Sequence, residues 1–125
     1  MKYLGIDFGL RRVGLAISEG EIASAYKTIK VKNFFDALEQ VVQIAKKEGY
    51  EIIVVGLPEG KIGQTVIGFI KALRKKGFNV VEADETLSSQ RALSQMIEED
   101  ISKKDRRVTD DRAAAIILQD WLDTK

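Results

Sequence analysis

Cysteine and histidine are both absent from the 125 residues of this sequence. Without cysteine, the protein has no disulfide, no thiolate metal site and no thiol nucleophile. Without histidine, it has no imidazole base, no Ser-His triad and no histidine-ligated zinc. Hydrolysis would therefore have to depend on carboxylates, lysine, hydroxyls or a metal-activated water.

Long apolar runs and a strong net charge are missing too. No segment approaches the roughly 20 apolar residues of a membrane span, and the first residues lead into a strand rather than a signal peptide. We therefore expect a cytoplasmic protein with no membrane partner. Because 20 basic residues nearly balance 19 acidic ones, a footprint for nucleic acid would have to come from local clusters. The length fits a single domain, residues 1–125.

Hydrophobic patterning predicts an α/β fold with a mixed sheet of about five strands. Short connections make the first three strands an antiparallel meander, and helical crossovers add the later two strands in parallel. Asn33 and Gly49 are placed to cap and to end the first helix. The charged stretch 100–108 has little to bury and is expected to be a loop. The predicted strands are 2–8, 12–18, 21–31, 52–55 and 78–83, and the predicted helices are 33–48, 64–76, 88–99 and a last helix from 109 or 110 to 123.

Asp7 interrupts a run that otherwise has the pattern of a buried strand. A desolvated anion costs several kcal/mol unless a cation, a metal or several hydrogen-bond donors lie beside it. Strand alternation puts Tyr3, Gly5 and Asp7 on one face, where glycine leaves that face open to a second backbone or a ligand. We interpret Asp7 as a carboxylate displayed for phosphate or metal chemistry. The alternative is an aspartate that hydrogen-bonds the following turn.

Two further acidic pairs stand at comparable places in the chain. Asp84 and Glu85 follow the fifth predicted strand, where open α/β sheets have their ligand crevices, although an acidic pair can simply end a strand. Asp110 and Asp111 open the last helix, where unpaired N–H groups and the macrodipole also favour acids. The alanines at 113–115 let this helix approach the sheet closely, which would bring its first turn near the face of Asp7.

If the three acidic positions converge on one edge of the sheet, they form a site made of oxygen ligands alone. Oxygen ligands without imidazole or thiolate select Mg²⁺ or Mn²⁺. Two such ions about 4 Å apart would activate a water and stabilise the leaving oxygen of a phosphodiester. That reaction does not need histidine, so the absence of histidine from the sequence is consistent with these candidate ligands.

Basic residues form local clusters, although a single cluster is more often solvated surface than a binding site. One cluster follows the first strand, one lies along the third strand, and one falls in the predicted loop. We expect the first and the last to hold the phosphates of a nucleic-acid partner. The clusters are Arg11 and Arg12, then Lys27, Lys30 and Lys32, then Lys103, Lys104, Arg106 and Arg107.

Ordered motifs that span nearly the whole chain resemble the YqgF (RuvX) family. The resemblance implies a ribonuclease H-like fold and nuclease activity, since members are described as Holliday junction resolvases or as nucleases that process the 5′ end of pre-16S ribosomal RNA. The chain departs from the family after Pro58, where a short loop at 59–64 replaces an Asn-Met-Asp-Gly-like segment. The matching motifs are LGIDFG at 4–9, RVGLAIS at 12–18, VVGLP at 54–58, DETLSS at 84–89 and DDRAAAIIL at 110–118.

Carried over residue by residue, the resemblance implies that Asp7, Glu85 and Asp110 are the catalytic carboxylates and the ligands of Mg²⁺ or Mn²⁺. Asp110 is chosen because the third acid of the family precedes an Ala-Ala pair by three positions, as Asp110 precedes Ala113. The implied function is a metal-dependent nuclease that acts on structured RNA at the 5′ end of pre-16S rRNA. The neighbours that could substitute as ligands are Asp84 and Asp111.

Three alternatives stay open. Resolution of a Holliday junction in branched DNA calls for a two-fold dimer with two sites, whereas RNA end processing suits a monomer, so both a monomer and a homodimer are compatible with the sequence. A non-catalytic nucleic-acid-binding domain would show salt-dependent affinity without metal-dependent turnover. A nucleotide-binding module of the actin and sugar-kinase type is disfavoured by length, because those folds bind nucleotide between two such domains.

Overall fold

A five-stranded mixed sheet forms the centre of the structure, a computed structural model that describes residues 1–84 and 109–125. The strands lie in the spatial order β3-β2-β1-β4-β5. They are β1 (Tyr3–Asp7), β2 (Arg12–Ser18), β3 (Ser24–Lys30), β4 (Ile52–Leu57) and β5 (Asn79–Asp84), and the helices are α1 (Phe34–Glu48), α2 (Lys61–Lys75) and α3 (Asp110–Asp123).

Strand directions follow the predicted topology. β2 is antiparallel to both β1 and β3, whereas β4 is parallel to both β1 and β5. The mixed sheet, with its first three strands antiparallel, is therefore confirmed. The third strand begins at Ser24 rather than at the predicted position 21. Its pairing shifts between Leu15 and Ala16 of β2, which leaves Tyr26 as an extra residue in a bulge.

The central strands β1, β2 and β4 are covered on both faces, whereas β3 is largely exposed, and α1 and α2 share one of the covered faces. Alternate apolar residues of the strands, such as Leu4, Ile6 and Ile53, pack there against the helices. The continuous β-branched run of β4 fits a strand that is covered on both sides. The opposite face carries Tyr3 and Val54 and, among the described elements, packs against α3.

The ends of α1 agree with the sequence. The side chain of Asn33 accepts a hydrogen bond of 2.9 Å from the backbone N–H of Asp36, which satisfies one of the free donors of the first turn. Gly49 ends the helix in the left-handed conformation, at φ 71°. Both predicted boundary residues are confirmed.

The start of α2 corrects the sequence prediction. The helix begins at Lys61 rather than 64, so most of the predicted loop at 59–64 is its first turn. Gly60 turns the chain with φ 85°, and a Cβ on Gly63 would lie 2.7 Å from the carbonyl oxygen of Pro58. Here glycine permits a tight helix start rather than a loop.

The predicted helix at 88–99 and the predicted loop at 100–108 lie outside the described residues. Within the two described ranges, no helix combines the length and the apolar character that crossing a membrane requires.

Candidate active site at the edge of the sheet

The three parallel strands β1, β4 and β5 end at the same edge of the sheet. Asp7 is the last residue of β1, and Leu57 of β4 lies opposite Asp84 of β5. The last helix starts at Asp110 and packs over β1, β2 and β3. This edge is where open α/β sheets bind ligands.

Gly14 brings the start of α3 down onto the sheet beside Asp7. Gly14 lies directly across from Asp7 in the β1–β2 pair, so positions 7 and 14 face the same side of the sheet. A Cβ on Gly14 would overlap the carbonyl oxygen of Asp110 and would lie 2.7 Å from the backbone nitrogen of Asp111. The backbone of the first helical turn therefore lies against the strand position next to Asp7.

Gly5 makes a second close approach one turn further along the same helix. A Cβ there would lie 2.8 Å from the Cβ of Leu118 and 3.0 Å from the carbonyl oxygen of Ala114. The face that the sequence presented as open is thus filled by a second backbone, that of α3. The alanines contribute as expected, since Ala113 and Ala114 are buried, but the glycines of β1 and β2 set the distance.

Asp110 forms an ion pair with Arg12. The Nε atom of Arg12 lies 3.3 Å from Oδ2 of Asp110, and the Arg12 side chain is 56% exposed while that of Asp110 is 31% exposed. An ion pair this exposed contributes about 0–1 kcal/mol. A residue predicted to hold phosphate therefore touches a residue predicted to hold metal, and the weak pair can open at little cost.

Asp111 faces a different groove from Asp110. It lines a cavity of about 420 Å³ between α3 and β3, together with Ala25, Arg112 and Gln119. Asp110, in contrast, meets Arg12 at the first residue of β2. The backbone of both acids lies against Gly14, but among the described residues it is the side chain of Asp110 that forms an ion pair with the β1–β2 hairpin.

In the alternation of side chains along β5, Asp84 belongs to the face of the sheet opposite that of Asp7. Val80 packs with the α1 and α2 core, whereas Val81 and Ala83 pack on the α3 side. Alternation therefore directs Asp84 away from the face of Asp7, and it lines a cavity of about 380 Å³ with Glu59 and Glu82. Glu85, the other candidate for the second carboxylate, lies outside the described residues.

The described carboxylates are the hard oxygen ligands that Mg²⁺ and Mn²⁺ prefer. Asp7 and Asp110 are both partly buried and belong to the same corner of the sheet. Within residues 1–84 and 109–125, no group of three acidic side chains is close enough together to hold a metal ion. The donor chemistry of Asp7 and Asp110 fits the predicted metals, and the metal site itself stays a prediction.

The two described phosphate-binding candidates, Arg11 and Arg12, are exposed in the connection after β1 and at the start of β2. The other candidates, Lys103, Lys104, Arg106 and Arg107, lie outside the described residues. Sequence reasoning missed the part played by Gly14. A glycine within the apolar run of β2 was the available signal, because such a glycine marks close approach of another backbone.

Comparison with known proteins identifies the family. Residues 1–124 match the family RuvX, described as Holliday junction resolvase. The chain belongs to the RuvX family.

A relative from Caldanaerobacter subterraneus subsp. tengcongensis is 38% identical over 136 residues, covering 100% of this chain and 98% of the relative. A relative from Endomicrobium trichonymphae is 36% identical over 133 residues, covering 98% and 95%. Both are named "Putative pre-16S rRNA nuclease".

Solved structures confirm the ribonuclease H-like fold expected of a RuvX chain. RuvC of T. thermophilus in complex with a Holliday junction substrate aligns with a TM-score of 0.63 at 16% identity, covering 99% of this chain and 94% of that one. The Fowlpox virus resolvase in complex with Holliday junction DNA also gives 0.63, at 13% identity, covering 99% and 98%. At these identities, the likeness establishes the fold.

Proposed function

We propose that this RuvX chain is a metal-dependent nuclease that hydrolyses phosphodiester bonds in nucleic acid, and that its substrate is the 5′ end of pre-16S rRNA. Family membership and the names of the relatives support the reaction class and the RNA substrate. The observation that carries the proposal is the contact at Gly14, which seats the first turn of α3 beside the strand end that bears Asp7.

The proposed metal ligands are Asp7, Glu85 and Asp110. Asp7 and Asp110 come from adjacent elements. Side chains alternate along β5, and Asp84 belongs to the face opposite Asp7, which favours Glu85 as the second carboxylate. Bound Mg²⁺ or Mn²⁺ would lower the pKa of a water and stabilise the charge on the leaving oxygen. The complete absence of histidine supports this choice, because the chain has no imidazole to serve as the base.

The other residues at this edge would orient the substrate. In hydrolysis a water oxygen bonds to phosphorus while one P–O ester bond breaks, and negative charge develops on the phosphoryl oxygens. The guanidinium groups of Arg11 and Arg12 suit those oxygens, since guanidinium can donate two parallel hydrogen bonds to phosphate. The ion pair with Asp110 already places Arg12 near the carboxylates. On substrate binding, Arg12 would exchange the carboxylate of Asp110 for a phosphate.

The second candidate function is resolution of Holliday junctions in branched DNA. The family description and the titles of two similar structures favour it. Symmetric cleavage of a junction would need two copies of the site, and therefore a homodimer, whereas end processing needs one. A non-catalytic nucleic-acid-binding role, monomeric or dimeric state and the cytoplasmic location stay predictions.

The test is cleavage of two substrates, an RNA that spans the 5′ end of pre-16S rRNA and a four-way DNA junction, with and without Mg²⁺ or Mn²⁺. We expect metal-dependent cleavage of the RNA and loss of cleavage in Asp7→Asn. Asp123→Asn is the matched control, since Asp123 is an exposed acid at the far end of α3. Full activity of Asp7→Asn would remove Asp7 from the site, and selective cleavage of the junction would favour the second function.

A further inference from the structure

A groove lined by basic side chains lies where the β1–β2 connection meets the start of α1. Its volume is about 940 Å³, and its described lining contains four cations and no carboxylate. We call it the basic groove. Its cations are Arg11, Arg12, Lys30 and Lys32, and Leu10 and Phe34 add apolar surface.

Backbone hydrogen bonds fix the frame that carries these cations. The N–H of Val31 donates to the carbonyl oxygen of Arg11 at 2.9 Å, which ties the β1–β2 connection to the end of β3. The N–H of Lys32 donates to Oδ2 of Asp36 at 2.8 Å, and the side chain of Gln40 donates to the same oxygen at 3.2 Å. The carboxylate of Asp36 thus joins the backbone at Lys32 to the side chain of Gln40 in α1. A frame held in this way is preorganised for a ligand.

The basic groove brings like charges together. Arg12 and Lys30 are direct partners across β2 and β3, and directly opposed like charges destabilise a sheet. Among the described residues, Asp110 pairs with Arg12 and with no other cation of the groove. In the part of the chain that the structure describes, Arg11, Lys30 and Lys32 form no ion pair. An anion with repeated charges would relieve this repulsion.

An aromatic ring stands next to the groove. Phe35 is 77% exposed, and its ring contacts that of Phe34, with centroids 5.6 Å apart at an interplanar angle of 84°. Phe34 in turn lines the groove. Cations that follow a sugar-phosphate backbone, with an exposed ring on which a base can stack, are the features that bind single-stranded nucleic acid.

We propose that the basic groove binds a single-stranded segment of nucleic acid beside the edge that carries Asp7 and Asp110. Lys30 and Lys32 bind its phosphates, and the ring of Phe35 stacks on one of its bases. A duplex keeps its bases paired and stacked, so it offers no free base to Phe35. The identity of the segment as substrate rests on the proposed nuclease function, whereas the binding itself does not.

The test measures the affinity for a fluorescent single-stranded RNA of about 12 nucleotides, within the usual site size, by anisotropy in EDTA over a range of salt concentrations. Lys30→Gln with Lys32→Gln removes two phosphate contacts, so the slope of log K against log salt should become shallower by about 1.4. Phe35→Leu keeps an apolar side chain but removes the ring, and affinity should fall by about tenfold. The matched control is Lys75→Gln with Lys76→Gln, exposed lysines at the opposite edge of the sheet, where β5 begins; it should leave the slope unchanged.

Equal changes of slope in the two lysine pairs would overturn the groove as the binding site. Wild-type affinity in Phe35→Leu, or an equal loss on a blunt duplex, would overturn the stacking on a single strand. If the oligonucleotide binds as expected but no substrate is cut in the presence of metal, the nuclease proposal fails and the groove stands. If metal-dependent cleavage occurs and the groove variants bind like wild type, only the groove proposal fails.

Discussion

Replacement of Gly14 by alanine tests the contact on which the candidate site depends. The added Cβ would overlap the Asp110 carbonyl oxygen and lie 2.7 Å from the Asp111 nitrogen, whereas ordinary contacts begin at 3.4 Å. The first turn of α3 would therefore have to retreat by at least about 0.7 Å. Both obstructing atoms belong to the backbone, so no side-chain rotation relieves the overlap. Overpacking of this kind costs about 1–3 kcal/mol.

We expect Gly14→Ala to lower the free energy of unfolding in urea by about 2 kcal/mol. Cleavage should fall further than stability accounts for, since a displacement of about 1 Å at a catalytic group can cost about 100-fold. Gly20→Ala is the matched control, because nothing lies within 4 Å of a Cβ at that position. A Gly14→Ala protein as stable and as active as the Gly20→Ala protein would show that the contact at Gly14 does not position the first turn of α3.

Two further predictions concern residues around the site and need separate measurements. Asn33→Ala removes the side chain that caps α1, so the free energy of unfolding should fall by about 1 kcal/mol in a denaturant titration; an unchanged midpoint would show that the cap is dispensable. Arg12→Gln breaks the exposed pair with Asp110, so stability should change by less than about 1 kcal/mol, while affinity for nucleic acid, measured by anisotropy, should fall and become less sensitive to salt. Wild-type affinity and salt dependence in Arg12→Gln would exclude Arg12 from phosphate binding.

Much of the fold could be predicted because local signals agreed with the tertiary structure. The β-branched run of β4 indicated a strand buried on both faces, and Asn33 and Gly49 marked the ends of α1. The predicted start of α2 was wrong because Gly60 and Gly63 are compatible both with a loop and with a tight helix start. Only the position of the Pro58 carbonyl oxygen distinguishes the two.

The sequence supplied candidate residues for the site but not the contacts between them. The interrupted strand pattern indicated Asp7, the first-turn position indicated the pair Asp110 and Asp111, and the choice of Asp110 came from the family resemblance; the metal-binding role of each stays a prediction. The closeness of α3 to Gly14 depends on the β1–β2 register, and the pair of Arg12 with Asp110 joins positions 98 residues apart. No local pattern encodes either contact, because both arise when separate elements pack together.

In the proposed site, one divalent ion is shared by the end of β1 and the first turn of α3. Titration of the isotope-labelled protein with Mn²⁺, followed by paramagnetic broadening of backbone amide signals in NMR spectra, shows whether the two positions bind the same ion. We expect the amides of Asp7 and Asp110 to broaden together at low Mn²⁺ concentration, and Asp7→Asn to abolish the broadening at both. Broadening at only one of the two positions, or unchanged broadening at Asp110 in Asp7→Asn, would contradict a shared ion.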